Sequence, residues 1–480
     1  MRKTLLSRVV MPGLARYTSF TSWRTMQSMV EADFRPASER DTHRLEQLRE
    51  LAAHAWSETL AYRELLDREG IHPDDIRSLE DFARIPVTTK SDLRHDFPER
   101  HLARGYRHAW LRYSNTSGTT GRPLVLIQDL DDICAKYAAT LWSRRVGGVD
   151  PLGAQVRVTP NECQPCQEGS SAAARFFVLL ERRILNPIFH RRQMLPPFWQ
   201  QSADRGRVDP DSYLDRFETL APDILVLYPL YALALARHLR RTGRRPPELP
   251  GIIDFSGGVC TSRMRQFIHD AFGRRTTQCC GGCEFARYGA SCEQDPDHLH
   301  LAESHCYVEV VGPDGAICKP GQLGNLIVTS LHSRAMPTLR LEPGDVGRVI
   351  TEPCSCGRSS RRLQHEGRIQ ALLRNSEDRW VTGREVWDRL LFVDGIDLFQ
   401  LQQRSPADYL LLLQRSADIA LDRTALDDAL GELLGAKAHV ELREVDAITP
   451  EASGKLQLVK SCTFEDFRVA SARRDSVPTN

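Results

Sequence analysis

The stretch from Tyr113 to Leu126 constrains this chain more than any other part of its sequence. It reads YSNTSGTTGRPLVL, with five serine and threonine hydroxyls around two glycines, and Arg122 and a short apolar run follow at once. The apolar run predicts a strand. A turn rich in hydroxyls and backbone N–H groups suits the oxygens of a polyphosphate, although ordinary polar loops share this composition. The pattern is not that of a P-loop NTPase, because no Gly-Lys-Ser/Thr follows a glycine at the required spacing.

The length and charge of the chain exclude several broad classes of protein. Its 480 residues exceed what one compact core usually supports, so we expect two or more domains. The net charge of +1 argues against a dedicated nucleic-acid binder. No apolar run approaches the length of a transmembrane helix.

The first residues and the cysteines bear on the compartment. The start is basic and has no acidic residue before Glu31, a pattern that transit peptides and membrane-surface helices share. Because Arg8 and Arg16 interrupt its apolar residues, it is not a secretory signal, and we expect a cytoplasmic protein with a basic N-terminal helix. Thirteen cysteines in such a chain favour reduced thiols and a metal site over disulfides.

Strand and helix patterns alternate through the middle of the chain. The continuous apolar run Ile224–Leu227 predicts a buried strand, and residues 231–239 a helix. The same pair recurs as strand 249–255 with helix 263–272, and strand 276–280 follows. This order predicts an α/β fold with a largely parallel sheet, whose ligands bind beyond the carboxyl ends of the strands. Glycine pairs fall at two such ends, in Ser256-Gly257-Gly258 and Gly281-Gly282, which would let a nucleotide lie against bare backbone.

The motif SGTTGRP resembles the phosphate-binding loop of adenylate-forming ligases, the superfamily of acyl-CoA synthetases and adenylation domains. The segment Ile85–Lys90 is similar to the "P.t.K" segment of its phenylacetate–CoA ligase branch. The resemblance implies a large N-terminal domain of mostly parallel sheets with helices and a small barrel-like subdomain, at residues 1–368. It also implies a small mobile α/β lid at 369–480. The ATP phosphates would be held by Ser117, Gly118, Thr119, Thr120, Gly121 and Arg122.

Further site residues follow from the same resemblance. The sequence GGCE resembles the family's Tyr-Gly-x-Ser/Thr-Glu segment, with Gly281 in place of the aromatic residue and Cys283 in place of the hydroxyl. Glu284 would bind the magnesium of ATP, because a carboxylate beside phosphates is a normal Mg²⁺ ligand. The nucleotide would also contact Ser256, Gly257, Gly258 and Gly282. The acyl pocket would be bordered by Tyr228, Tyr231 and Gly281.

Later motifs supply the ribose contact, the hinge and the catalytic charge. The element from Arg340 to Asp345 is similar to the family's Arg-x-x-x-Gly-Asp, with Glu342 where a second arginine is common. Asp345 would accept hydrogen bonds from the ribose, and Arg368 would also contact ATP. Gln370 stands at the hinge position, which is usually aspartate. The Gly-Lys element near the end of these ligases is matched by Gly454-Lys455, which makes Lys455 the candidate catalytic lysine.

Four residues form a candidate metal site. Two thiolates close together, Cys354 and Cys356, combine with Cys292 and His300 upstream into a set that suits tetrahedral Zn²⁺. Some members of the branch carry a similar set, and we prefer His300 to His298 on its alignment with theirs. Unpaired reduced thiols are the alternative. Because protein groups would fill all four positions, the zinc would be structural.

The predicted reaction has two steps. ATP and a carboxylic acid give an acyl-adenylate and pyrophosphate, with Mg²⁺ as cofactor, and the acyl group then passes to a thiol, most directly that of coenzyme A. The alternatives are transfer to an amine or a carrier protein, a nucleotide-binding module without turnover, and a structural zinc protein. The sequence does not identify the acid and leaves open whether the chain forms a homodimer.

Overall fold

The computed structural model describes residues 21–107, 111–115, 124–160, 165–166, 192–197, 209–451 and 454–470. Predictions that fall on the remaining residues, including those for the phosphate loop from Ser117 to Arg122, lie outside this part of the chain. Its α-helices are α1 Thr21–Ala32, α2 Ala37–Glu58, α3 Leu60–Arg68, α4 Leu79–Ala83, α5 Leu130–Val146, α6 Pro210–Leu220, α7 Pro229–Thr242, α8 Ser262–Phe272, α9 Gly383–Leu390 and α10 Arg423–Leu434.

In the described part of the chain, the strands form one large sheet and three smaller ones. They are β1 Arg112–Asn115, β2 Val125–Gln128, β3 Gln155–Val158, β4 Pro165–Cys166, β5 Arg192–Met194, β6 Ile224–Leu227, β7 Ile252–Phe255, β8 Thr276–Gly282, β9 Ala286–Ala290, β10 Leu299–Leu301, β11 Cys306–Val311, β12 Gly324–Ser330, β13 Asp345–Ile350, β14 Arg362–Arg368, β15 Leu373–Arg374, β16 Trp380–Val381, β17 Ile396–Ser405, β18 Asp408–Arg415, β19 His439–Glu444 and β20 Val459–Lys460.

Among the described residues, the large sheet has eleven strands, in the order β11-β12-β13-β14-β10-β9-β8-β7-β6-β3-β5. Strands β8, β7, β6, β3 and β5 run parallel to one another. Helix α7 connects β6 to β7, and α8 connects β7 to β8. From β8 to β11 the neighbours are antiparallel. Strands β6 and β7 are buried along their whole length, as expected of parallel strands covered on both faces.

Local sequence signals explain where several helices begin and end. The Asp129 side chain accepts a hydrogen bond from the backbone N–H of Asp132 and caps α5, and Thr261 caps α8 in the same way. Gly243 and Gly273 end α7 and α8 in the left-handed conformation, which glycine adopts without steric cost. The helices that flank the parallel strands are therefore delimited by their own sequences.

A smaller lobe follows the large sheet. Strands β19, β18, β17 and β20 form a four-stranded sheet covered by α9 and α10, and we call residues 373–463 the small lobe. It contacts the large lobe, the described residues up to 368, through α7 and α8. The Arg237 guanidinium donates a hydrogen bond to the Asp397 carbonyl at 2.7 Å, and the rings of Phe267 and Phe392 meet edge to face at 5.8 Å.

The fold class predicted from the sequence is confirmed. The strand Ile224–Leu227 has its predicted bounds. Strand β8 differs, because it continues to Gly282 instead of ending at Cys280, where β9 returns to pair with it around an irregular register. Helices α2 and α3 are separated at Thr59, whose hydroxyl caps α3. The domain boundary at 368/369 stays a prediction.

Two further findings concern the cysteines and membranes. Ten cysteines in the described part of the chain are free, as expected. Cys283 is disulfide-bonded, in contrast to the prediction of reduced thiols, and its partner lies outside the described side chains. The use of cysteine in a sequence indicates whether its thiols are reduced in general. A particular disulfide depends on which two thiols the fold brings together. Among the described helices, none is long and apolar enough to cross a membrane.

Candidate active site

Glu284 forms an ion pair with a lysine from the beginning of the large lobe. The Lys90 ammonium lies 2.8 Å from Glu284 Oε1, and the glutamate is only 5% exposed. Burial by itself would raise the pKa of this carboxyl, but the charge and hydrogen bond of Lys90 outweigh it and the pKa is lowered. A Cβ atom on Gly282 would lie 2.6 Å from Glu284 Oε2, so the glycine leaves room for the carboxylate. The site therefore holds an ionised carboxylate at the end of β8.

A second carboxylate begins β13. Asp345 pairs in register with Arg368 at the end of β14, and the guanidinium lies 3.2 Å from the carboxylate. His365 Nε2 lies 3.8 Å from the same oxygen. Desolvation opposes the ionisation of Asp345, but the charge of Arg368 and the hydrogen bond and charge of His365 outweigh it and lower the pKa of its carboxyl. Gly344 has a φ of +90°, and a Cβ there would be 3.1 Å from Arg368 Nη2, so a glycine lets the guanidinium cross this turn.

Lys455 of the small lobe lies within reach of these charges. Its backbone carbonyl accepts a hydrogen bond from the Glu451 N–H at 2.9 Å, which closes a turn around Gly454. Gly454 has a φ of +76°, a conformation that favours glycine. Burial lowers the pKa of the Lys455 ammonium, and the turn therefore carries a largely buried lysine.

Five charged groups from both lobes converge at one place, which we call the charge cluster: Lys90, Glu284, Asp345, Arg368 and Lys455. After burial, the positive charges of Arg368 and Lys90 also lower the pKa of Lys455, whereas the negative charges of Asp345 and Glu284 act in the opposite direction. The structure thus brings together four predicted site residues and adds Lys90. The cluster has three cations and two anions, which is a net positive charge suited to an anionic ligand.

The predicted pocket tyrosines lie beside the Ser256-Gly257-Gly258 turn. The Tyr228 ring occupies the space in front of Gly258, where a Cβ would approach its Cε2 to 2.6 Å. Tyr228 and Tyr231 are both buried, and their rings meet edge to face at 5.2 Å. Burial chiefly raises the pKa of the Tyr228 phenol, and the charge of Glu451 contributes. The turn that carries Lys455 therefore lies near Tyr228.

Gly281 is packed against the neighbouring strand. A Cβ at this position would lie 2.0 Å from the Ala286 carbonyl oxygen, so only glycine fits the close approach of β8 and β9. Its conformational role is therefore visible, whereas its predicted contact with the substrate stays a prediction. The phosphate loop connects Asn115 to Val125, which are paired residues of β1 and β2.

The four predicted metal ligands lie together beneath α1 and α5. The sulfur atoms of Cys292, Cys354 and Cys356 and a ring nitrogen of His300 all lie within 4.8 Å of one another. Cys292 and Cys354 are separated by 3.6 Å between sulfurs, close to the roughly 3.7 Å edge of a tetrahedron with Zn–S bonds of about 2.3 Å. The other ring nitrogen of His300 is 3.1 Å from the Ser360 hydroxyl, a contact that orients the ring. The donor set and its spacing fit a structural zinc ion.

The predicted hinge residue lies in a short 3₁₀ helix, Ile369–Ala371, between β14 and the small lobe. The Gln370 carbonyl accepts a hydrogen bond from the Ser461 N–H at 3.1 Å. The hinge position is therefore next to the last strand of the small lobe, β20.

Sequence reasoning missed Lys90 as a site residue. Its segment carries a recognisable motif, but its side chain reaches Glu284 only because residues 88–90 lie beside the turn that leads to Asp345. The backbone contacts are Thr88 N–H to the Arg340 carbonyl and Glu342 N–H to the Thr88 carbonyl, both at 2.9 Å. The pairing of these distant segments has no local sequence signal.

Comparison with known proteins places the chain. No protein-family model matches it. A phenylacetate–coenzyme A ligase of Pseudomonas putida is 28% identical over 407 residues, which is 84% of this chain and 81% of the relative. The enzyme of the same name from Thermus thermophilus is 28% identical over 322 residues, which is 66% of this chain and 67% of the relative.

The solved structures agree with the sequence relatives. 2-Hydroxyisobutyryl-CoA ligase in the postadenylation state superposes with a TM-score of 0.70 at 23% identity, covering 89% of this chain and 90% of the other. For the structure of the same ligase in the thioesterification state the TM-score is 0.58 at 24% identity. In sequence the chain is therefore similar to phenylacetate–coenzyme A ligases, and it shares the fold of 2-hydroxyisobutyryl-CoA ligase.

Proposed function

We propose that this protein is an AMP-forming acid–thiol ligase. In the first step the carboxylate of the acid attacks the α-phosphorus of ATP, a new O–P bond forms, and pyrophosphate leaves. In the second step the thiol of coenzyme A attacks the acyl carbon and AMP leaves. The named activities of the relatives are phenylacetate–coenzyme A ligases, and they support this pair of reactions.

The observation that carries the proposal is the charge cluster. A carboxylate anion attacks a phosphate anion in the first step, so the transition state needs fixed positive charge around the α-phosphate. Lys455 enters the cluster from the small lobe, and Arg368 and Lys90 stand beside it in the large lobe. Because the lysine belongs to the small lobe, the lobe can supply its charge in one step and withdraw it in the next.

Each acidic residue has a distinct proposed role. Asp345 would accept hydrogen bonds from the ribose hydroxyls, and its pairing with Arg368 keeps it ionised and oriented. Glu284 would hold the Mg²⁺ that accompanies ATP, and its lowered pKa suits that role. Bound there, Mg²⁺ would shield the charge of the phosphates. The phosphate loop, from Ser117 to Arg122, would hold the outer phosphates.

Zinc has a structural role in this proposal. Cys292, His300, Cys354 and Cys356 offer four protein ligands with none left for a substrate, which is the arrangement of structural sites. The cluster joins the β9–β10 region to the segment before β14, and Cys292 and Cys354 pack in one hydrophobic cluster with residues of α1 and α5. The metal would therefore stabilise the large lobe at a distance from the chemistry.

Acid-dependent exchange of labelled pyrophosphate into ATP tests the function directly. A panel of acids should begin with phenylacetate and include 2-hydroxyisobutyrate, other short aliphatic acids and substituted benzoates. We expect exchange with at least one acid, and release of AMP with thioester when coenzyme A is added. The product identifies the acceptor. A thioester with coenzyme A but not with a carrier-protein thiol identifies coenzyme A, and an amide identifies an amine. Nucleotide binding without exchange for any acid would contradict the proposal and favour a module without turnover.

A further inference from the structure

The chain returns to the large lobe after it has completed the small one. Residues 464–470, which we call the return segment, follow β20 and the Thr463 turn. The Phe467 carbonyl accepts a hydrogen bond from the buried Asn325 amide at 2.8 Å, and the Ala470 N–H donates to the Pro313 carbonyl at 3.2 Å. The chain therefore crosses between the lobes twice, once at Gln370 and again at the return segment.

Apolar contacts seat the return segment on the large lobe. Val469 is 1% exposed and packs with Val87, Val311 and Ile327. Phe467 packs with Val346 of the large lobe, and on its other side its ring meets that of Trp380 of the small lobe edge to face at 4.9 Å. These contacts place the segment against the strands that carry the charge cluster and against the residues that precede Lys90.

Arg468, which lies between Phe467 and Val469 in the return segment, forms an ion pair with the large lobe. The Arg468 guanidinium is 3.6 Å from Glu342 Oε2, and Glu342 is 4% exposed. Burial raises the pKa of the Glu342 carboxyl and Glu465 acts in the same direction, while Arg468, Arg368 and Lys90 oppose them. A buried carboxylate that lost Arg468 would be left with less compensation for its desolvation. The pair is therefore an important connection between the return segment and the large lobe.

Glu342 is connected in turn to the segment that presents Lys90. Its N–H donates to the Thr88 carbonyl at 2.9 Å, and Thr88 forms a parallel bridge with Leu341. Lys90 follows two residues later and pairs with Glu284. The return segment thus contacts Glu342, which is the backbone partner of the Lys90 segment. It also contacts Val87, an apolar residue just before Lys90.

The other end of the same stretch of chain carries Lys455. Between them, β20 pairs with β17, and the Thr463 hydroxyl donates to Gln403 Oε1 at 2.9 Å inside the small lobe. A contact made by Arg468 is therefore linked through a short, well-anchored stretch to the position of Lys455.

We infer that Arg468 is a positioning residue for the first half-reaction: through Glu342 it holds the small lobe in the orientation that brings Lys455 to the charge cluster, and it supports the segment that presents Lys90. The inference rests on the proposed function and deepens it. Arg468 touches no reacting atom in this account. The thioester step needs neither lysine at the α-phosphate, so it should depend much less on this ion pair.

The test compares both half-reactions in charge variants. Arg468→Glu should slow acid-dependent ATP–pyrophosphate exchange roughly ten- to a hundred-fold, as expected when a buried charge loses its partner. Thioester formation from supplied acyl-adenylate and coenzyme A should change less than about two-fold. The double variant Glu342→Arg with Arg468→Glu restores the pair in reverse and should recover most of the exchange. The matched control is Arg389→Glu, which breaks an exposed ion pair with Glu432 on the small lobe and should alter neither rate.

A second measurement does not depend on activity. Backbone hydrogen exchange across residues 86–90 should be faster in Arg468→Glu than in the wild type or the Arg389 control, and slower again in the double variant. If Arg468→Glu melts too low to assay, Arg468→Gln takes its place in both measurements. Equal losses in the two half-reactions, or no recovery in the double variant, would overturn the inference while leaving the proposed function intact. If the wild type shows no ATP–pyrophosphate exchange with any acid, the proposed function and the inference are overturned together.

Discussion

The Lys90 ammonium and the Glu284 carboxylate are 2.8 Å apart and join the start of the large lobe to the end of β8. The pair keeps a buried carboxylate ionised at the place where the small lobe delivers Lys455. It also gives Lys90, which sequence motifs alone did not assign to the site, a defined electrostatic effect. Removing Lys90 should therefore change how Glu284 titrates.

Lys90→Gln should move the acid limb of pyrophosphate exchange to higher pH. Lys90 lowers the pKa of Glu284, and without it burial would raise that pKa, so the carboxylate would be lost at a higher pH as acid is added. The pH profile of exchange in the variant and the wild type measures this shift. Lys437→Gln, at an exposed position of the small lobe, is the control and should leave the profile unchanged. An acid limb that stays in place would mean that the pair does not govern the protonation of Glu284.

Asp33 should make the folded protein less stable as the pH rises. Burial raises the pKa of this carboxyl to about 7, although Trp142 donates a hydrogen bond to it at 2.9 Å. The folded protein therefore binds a proton that the unfolded chain releases near pH 4, and its stability should fall as the pH rises through the interval from about 4 to 7. A shift of this size corresponds to at most about 4 kcal/mol, at roughly 1.4 kcal/mol per unit.

Asp33→Asn removes this titration and keeps an oxygen for the Trp142 hydrogen bond. Denaturant unfolding at pH 4.5 and at pH 7.5 should show the variant gaining stability relative to the wild type as the pH rises. Asp428→Asn, at an exposed position of α10, should show no such change. A stability difference between Asp33→Asn and wild type that is the same at both pH values would contradict the raised pKa.

Two glycine-to-alanine changes should have opposite effects. Gly281→Ala places a Cβ 2.0 Å from the Ala286 carbonyl oxygen, so β8 and β9 must separate, at a cost of about 2 kcal/mol or more. Gly431 lies in α10 with no atom within 4 Å of an added Cβ, and alanine there should stabilise the helix by about 1 kcal/mol. Melting temperatures of the two variants should therefore fall on opposite sides of the wild type. An unaltered melting temperature for Gly281→Ala would mean that the two strands are less closely packed than described.

The zinc prediction can be measured without any substrate. Purified protein should contain about one zinc per chain, by the four-ligand rule for structural sites. Cys354→Ser should lower both the zinc content and the melting temperature, because it removes one of four clustered ligands. Cys318→Ser, at a free thiol elsewhere in the large lobe, should retain the metal. A wild-type zinc content well below one would remove this site from the account.

Local sequence patterns predicted several elements around the parallel part of the large sheet but few of the contacts between elements. The apolar run Ile224–Leu227 has its predicted bounds, because burial on both faces leaves a local signature. The four metal ligands were identified from their residue types together with the resemblance to branch members that carry a similar set. The end of β8 was missed because β9 extends it to Gly282, and pairing with a later strand is not a local property.

The residues that the sequence could not assign are those placed by long-range packing. Lys90 reaches Glu284 because Thr88 pairs with the Arg340–Glu342 segment, and the departure at Glu342 gains a partner only when Arg468 returns from the small lobe. Motifs marked the places of Lys455, Asp345 and Arg368, but only the folded chain shows that they share one electrostatic environment.

Separate measurement of the two half-reactions in Lys455→Ala tests the central claim most directly. Loss of a fixed charge at the reacting phosphate should reduce acid-dependent pyrophosphate exchange roughly a hundred- to a thousand-fold. Thioester formation from supplied acyl-adenylate should remain near the wild-type rate, since the bonds made and broken in that step are at the acyl carbon and not at the α-phosphorus. A melting curve establishes that the variant is folded. Equal losses in both steps, or exchange at the wild-type rate, would contradict the role of Lys455 as the charge that the small lobe delivers for adenylate formation.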